Sequence, residues 1–192
     1  MVTVRSSLTR RTIPALIAVF FVASAATARY SGGMGEPNDP YQIATAADLI
    51  ALGETPADYD KHFILTADID LNPNLPGRKV LDRAAIAPDA DDTEYGFQGT
   101  SFTGVFDGND HTISHLTITG ESYLGLFGQL VGGSWDVPTC EVRNLGLVDV
   151  DIAGSGAYIG GLVGCHCGYA SITASHSSGL VSGDWKVGGL VG

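Results

Sequence analysis

The sequence predicts an all-β protein whose C-terminal half is a β-solenoid, and three observations carry that prediction. A Gly-Leu-Phe/Val-Gly phrase recurs at Gly125 to Gly128, Gly161 to Gly164 and Gly189 to Gly192. The last two copies extend to Gly-Gly-Leu-Val-Gly from Gly160 and Gly188, 28 residues apart; the first two lie 36 apart, with the extra residues around Gly132 to Cys140. Glycine supplies 26 of 192 residues, about twice ordinary usage, without a collagen triplet. Between the copies, segments such as Val148 to Ile152 and Gly179 to Ser182 read as short strands. A period in the high twenties admits helical repeats, leucine-rich repeats or a parallel β-helix. The Gly-, Ser-, Thr- and Val-rich spacers lack a 3.6-residue period, and no Leu-x-x-Leu-x-Leu frame is present. Stacked strands remain, each about 4.8 Å above its counterpart. Glycine is expected at the bends, where it takes positive φ, and wherever backbones pack closely.

The elements follow in order. Residues 1–28 contain no acid, carry Arg5, Arg10 and Arg11, run apolar from Ile13 to Ala23 and end in the Ala-x-Ala motifs Ala23-Ser24-Ala25 and Ala26-Thr27-Ala28. This is the pattern of a secretory signal peptide cleaved near Arg29. The apolar run, interrupted by Pro14, falls short of the roughly 20 residues a membrane span needs. No later run is long enough either, so the mature chain is expected to have no membrane span. The whole chain has a formal net charge of −11. Removing residues 1–28 takes away three of ten cations and no acid, leaving 7 against 21, or −14. That surface excludes a nucleic-acid partner and disfavours an anionic membrane.

Residues 29–100 read as an N-terminal cap segment, and 101–192 as the repeats. Tyr30 to Pro40 is an irregular lead-in, and Tyr41 to Ile43 is extended. Thr45 is an N-cap with Asp48 three residues on, opening a helix over Ala46 to Leu52 that Gly53 ends. Phe63 to Leu71 alternates, with Leu65, Ala67, Ile69 and Leu71 on one face and Thr66, Asp68 and Asp70 on the other. Pro73 to Tyr95, with three prolines and the acids Asp89, Asp91, Asp92 and Glu94, reads as a long surface loop. Phe102 to Ile113 is a strand, a turn at Asp107-Gly108-Asn109-Asp110 and a second strand.

Phe102 to Ile118, Tyr123 to Gly128 and the two Gly-Gly-Leu-Val-Gly copies flanking Ser171 to Gly183 together resemble the GLUG-repeat family of bacterial proteins. Tyr41 to Leu71 looks like the segment that commonly caps such repeats. The resemblance implies a right-handed parallel β-helix, secreted or attached to the cell surface, in adhesin-like or protease-associated settings, with no established activity for the repeat itself. Family repeats often carry Asn-Cys after the central strand; here Ala174-Ser175 follow Ile172-Thr173. The last copy stops at Gly192, which reads as a C-terminally truncated solenoid, with further repeats or domains of the same protein expected beyond it.

Cys140, Cys165 and Cys167, with His166, are thiol or metal candidates. Alternation puts Cys165 and Cys167 on one side of a strand and His166 on the other, which argues against one ion held by all three. A disulfide from Cys140 to Cys165 or Cys167, free buried thiols, and a metal site stay open. Asp68 with Asp70, and Asp149 with Asp151, are carboxylates two apart, about 6.5–7 Å on one face, a spacing an inverting glycosidase would accept and a solvated acidic face produces unaided. Asp89, Asp91 and Asp92 are weak calcium candidates, and Asp107 to Asp110 lacks the distal Glu of a calcium loop. His111, His115 and His176 have no partner at a recognisable motif spacing. Trp135, Trp185, Tyr123 and Tyr158 are candidates for a carbohydrate-stacking ledge.

No catalytic residue and no cofactor other than that calcium is assigned. The expectation is a non-catalytic secreted or surface module for adhesion, display or structure, with a protein or glycan partner. The alternative is a polysaccharide lyase or glycoside hydrolase on a parallel β-helix, which rests on fold analogy alone.

Overall fold

The computed structural model describes residues 29–134 and 140–192; the expected signal peptide and Trp135 lie outside the described residues. The fold begins with local chemistry at α1 (Ala46–Gly53). The Thr45 hydroxyl accepts from the Asp48 N–H, and the Asp48 carboxylate accepts from the Thr45 N–H, closing a capping box. The same carboxylate, buried, accepts from Ser31 Oγ and the Ala44 N–H, which ties the lead-in to the helix. Leu49 and Leu52 turn inward. Gly53 does not end the helix by left-handed geometry, because Glu54 is the C-cap with φ −87°. A Cβ at Gly53 would lie 2.0 Å from the Ala85 carbonyl oxygen, so glycine there permits close packing.

The described residues hold fourteen strands, the first of them ahead of α1. The first seven are β1 (Tyr41–Ile43), β2 (His62–Leu65), β3 (Ile69–Asp70), β4 (Val105–Asp107), β5 (Thr112–Ser114), β6 (Thr117–Gly120) and β7 (Phe127–Gly132). The other seven are β8 (Glu141–Arg143), β9 (Gly146–Gly154), β10 (Ala157–Gly160), β11 (Val163–Gly168), β12 (Ser171–Thr173), β13 (His176–Ser182) and β14 (Trp185–Gly188). Among the described residues the protein is therefore all-β with one short α-helix. Its sheets are several and short. One runs β1-β2-β4-β8-β12, a second runs β13-β9-β5-β3 with β6 also on β9, and two pairs join β11 to β7 and β10 to β14. Every pairing between these strands is parallel.

Register aligns apolar residues from strands distant in sequence. Phe63, Phe106, Val142 and Ile172 are successive partners, as are Ile69, Ile113 and Leu147, and also Ile118, Ile152 and Val181. Phe127, Val163 and Val191, one from each Gly-Leu phrase, pair in parallel. Aromatic rings thicken the core, with Phe102 to Phe127 centroids 5.1 Å apart and Phe106 to Phe127 at 5.5 Å.

Three expectations need correction. The Phe63 to Leu71 alternation is real, yet the segment forms two strands in different sheets, broken at Thr66 to Asp68. The 73–95 segment is irregular but not merely a surface loop. Ala84, Ile86 and Ala87 are buried, and Ile86 bridges Phe127. Lastly, positive φ in the repeats is not reserved for glycine: between strands it falls on Asn109, Asp110, His115, Tyr123, Asn144 and Ala174, inside strands on Asp149, Tyr158 and Lys186, and Gly168 and Gly179 share it. Most glycines of the repeated phrase, Gly189 excepted, serve close approach instead: a Cβ on Gly164 would lie 2.7 Å from the Tyr123 carbonyl carbon.

Candidate functional site

The polar side chains of the sheets join neighbouring strands along the outside of the molecule. Asp68, just before β3, accepts from the Thr112 N–H at 2.8 Å and meets His111 Nδ1 at 3.2 Å. Asp70 accepts from the Asn72 N–H at 2.9 Å and meets His115 Nδ1 at 2.9 Å. Both carboxyls are held below the usual carboxylate range, Asp68 by the Thr112 N–H and then His111, Asp70 by the Asn72 N–H and then His115. The histidines thus do have acidic partners, 43 and 45 residues away. That separation hides them from any motif, although the β3–β5 register would have revealed them.

A second fastener joins β4 to β8. Arg143 Nε donates to Asp107 at 2.8 Å and its Nη1 donates to Glu141, while Asn144 Nδ2 and the Asn109 N–H also donate to Asp107. Burial pushes the Asp107 carboxyl up, but Arg143 and the two further donors outweigh it and hold the group low. The expected turn at Asp107 to Asp110 is present, with Asn109 and Asp110 left-handed, and its first carboxylate is spent on Arg143.

Of the aromatic ledge, Tyr123 is nearly buried and packs between Phe97 (5.3 Å) and Tyr158 (4.8 Å, stacked). Lys186 lies 4.0 Å over the Tyr158 ring and 4.6 Å over Trp185, and Trp185 is exposed. The aromatic row is therefore largely consumed by packing, with Trp185 as its open end. His176 sits at the start of β13, against Gly146.

The calcium candidates are engaged locally. Asp89 is buried and accepts from the Gln98 N–H at 2.8 Å, Asp91 accepts from Thr93, and Asp92 is exposed. Among the described residues, no three His, Cys, Asp or Glu side chains converge as ligands for one ion. Asp149 and Asp151 are both exposed, but Asp149 is left-handed and the β9–β13 register shifts beside it. The flat alternation expected to set that pair side by side is therefore broken by a bulge.

The three thiols divide into a pair and a separate residue. Cys140 is fully buried, its Sγ donates to the Phe102 carbonyl at 3.4 Å, and burial pushes its thiol up to about 12. It does not meet Cys165 or Cys167. Those two face each other across one residue of β11 with Sγ atoms 2.7 Å apart, while His166 points away and bonds the Ala170 carbonyl. Strand alternation is the reason: it puts both β11 sulfurs on one side.

A cleft of about 520 Å³ lies elsewhere, between α1 and the 77–88 segment, floored by Leu49, Leu71, Leu81 and Leu116. None of the acidic pairs or cysteines lines it.

No family model matches the chain, and no solved structure matches it. Halomucin of Haloquadratum walsbyi is 33% identical over 173 residues, which cover 88% of this chain and 2% of halomucin. A protein described as a Gly-rich membrane protein, from Evansella cellulosilytica, is 31% identical over 159 residues, covering 77% of this chain and 16% of that protein. The chain thus spans a small part of the length of these relatives. Among the described residues, no helix is long and apolar enough to cross a membrane.

Proposed function

We propose that the chain is a non-catalytic surface module built as a right-handed parallel β-helix of GLUG-like repeats, exported and serving adhesion, display or structure. One observation carries the reading. Charged and aromatic side chains that would make a reactive site bond across neighbouring strands, as Asp68 to His111, Asp70 to His115 and Asp107 to Arg143 do, and so fasten the wall. The parallel alignment of the three Gly-Leu phrases supports the helical architecture and the repeat family. Similarity to halomucin and to a Gly-rich membrane protein supports a location at the cell surface.

The test is binding measured beside turnover. The purified chain is passed over immobilised matrix proteins and neutral and acidic glycans, and the same preparation is incubated with soluble polysaccharides with and without calcium. Retention on one surface without new reducing or unsaturated ends is the expected result. Polysaccharide cleavage that Asp149→Asn or Asp151→Asn abolishes would replace this reading with the hydrolase or lyase.

A further inference from the structure

We propose that Cys165 and Cys167 form a dithiol site that exchanges with small disulfides and closes into a bridge within β11, leaving Cys140 as a separate thiol. The geometry begins with the strand. Residues two apart in a β-strand project to one side and are spaced about 6.5–7 Å at Cα, the upper end of what a disulfide spans. In β11 the two side chains lean together until the sulfurs are 2.7 Å apart. Gln129 on the paired strand β7 reaches Cys167 Sγ through its Nε2 at 3.7 Å, which holds that side chain in place. His166 is turned to the opposite side and fixed on the Ala170 carbonyl, so it does not separate the pair.

Exposure sets the order of events. Cys165 is buried at 8% exposure, whereas Cys167 is partly open. An incoming disulfide therefore meets Cys167 first. The Cys167 thiolate attacks one sulfur of oxidised glutathione, forming a mixed disulfide and expelling one glutathione thiolate. Cys165 then gives up its proton and attacks the Cys167 sulfur, which releases the second glutathione. Two thiols are oxidised, one external disulfide is reduced, and no other reactant is required. Cys140 takes no part, because it is fully buried at the Phe102 carbonyl. An odd count of three cysteines thus resolves into one pair and one packed thiol.

The experiment equilibrates the full folded chain with oxidised and reduced glutathione, then unfolds it in an alkylating agent and maps the labels by mass spectrometry. The expected result is a chain lighter by two hydrogens that takes one label, at Cys140. Cys165→Ser should trap glutathione on Cys167, and Cys140→Ser should keep the bridge and take no label. The folded chain should also close the bridge at an oxidised-to-reduced ratio about tenfold lower than the chain in concentrated urea, since folding raises the effective concentration of one thiol at the other. Three labels after oxidation, a bridge that includes Cys140, or no difference between folded and unfolded chains would overturn the proposal. The wild-type measurement decides the matter even if a serine variant fails to fold.

Discussion

Phe106 in β4 and Val187 in β14 both sit in parallel ladders with regular register, yet one is sealed and the other is 41% exposed. Around Phe106 the rings of Phe63 and Phe127 close in at 6.4 and 5.5 Å, and strands pair on both sides of β4. In the last strands the ladders continue on one side only among the described residues, and Leu180 and Trp185 are exposed as well. Ser177 takes the place that Ile69, Ile113 and Leu147 hold in their ladder, and its buried hydroxyl has no partner among the described residues. Parallel pairing alone therefore repeats backbone geometry without making a core; the core needs a large apolar side chain with neighbours above and below. The largest expected effect breaks that contrast directly. Phe106→Ala should cost about 3–5 kcal/mol in urea unfolding, the range for deleting a buried aromatic side chain. Val187→Ala should stay within about 0.5 kcal/mol. Equal costs at the two sites would show that the two regions are packed alike.

Glycine gives a second version of the same contrast. Gly164 closes one copy of the phrase and Gly189 opens the next; at Gly164 a Cβ would crowd the Tyr123 carbonyl carbon (2.7 Å) and the Gly128 carbonyl oxygen (2.8 Å), while Gly189 faces open space. Gly164→Ala should destabilise by about 1–3 kcal/mol, as overpacking does. Gly189→Ala should be neutral or slightly stabilising, because alanine restricts the unfolded chain. Thermal midpoints of the two variants side by side provide the check.

That pair also marks where sequence reading stops. The repeat phrase, the Thr45–Asp48 capping box and the alternation of Phe63 to Leu71 were legible because each depends on neighbours in the chain. The roles of individual glycines were not, since they depend on carbonyls such as those of Ala85 and Tyr123, 32 and 41 residues from the glycines they crowd. The left-handed backbone at Tyr123, ahead of β7, and at Tyr158 and Lys186, inside β10 and β14, is not legible because bulky residues carry it. Stacking of Tyr123 on Tyr158 and of Lys186 over Tyr158 accompanies that geometry. The candidate site was half legible: alternation set Cys165 beside Cys167, but the acids of His111 and His115 became visible only through register.

A third prediction concerns the fasteners. Arg143 reaches Asp107 and Glu141 from a side chain 39% exposed, while Asp107 is only 19% exposed. Arg143→Ala strips the shielded carboxylate of its cation, leaving the Asn144 and Asn109 donors. The expected loss is about 1 kcal/mol, between an exposed ion pair and a buried one. By contrast, Lys186→Ala removes contacts at the exposed end of the aromatic row and should cost less, as exposed cation–π contacts do. Urea midpoints measured at low and high salt distinguish the two, since an ion pair fades with salt and ring packing does not.

The smallest effect is in pH. Asp68 and Asp70 titrate lower in the folded chain than an ordinary carboxyl, held by the Thr112 and Asn72 N–H groups and then by the histidines. A carboxyl with a depressed folded value adds stability that is complete above the unfolded value, about 3.9 for Asp. That stability is lost as pH falls through the lower folded value, because the unfolded chain takes up its proton first. Urea midpoints of the wild type should therefore drop more steeply below about pH 4 than those of Asp68→Asn/Asp70→Asn. Both carboxylates are open to water, so the difference should be smaller than that of Arg143→Ala and should shrink with added salt. A double variant that loses stability in acid as steeply as the wild type would assign the acid limit to other carboxylates, with the shielded Asp107 next in line.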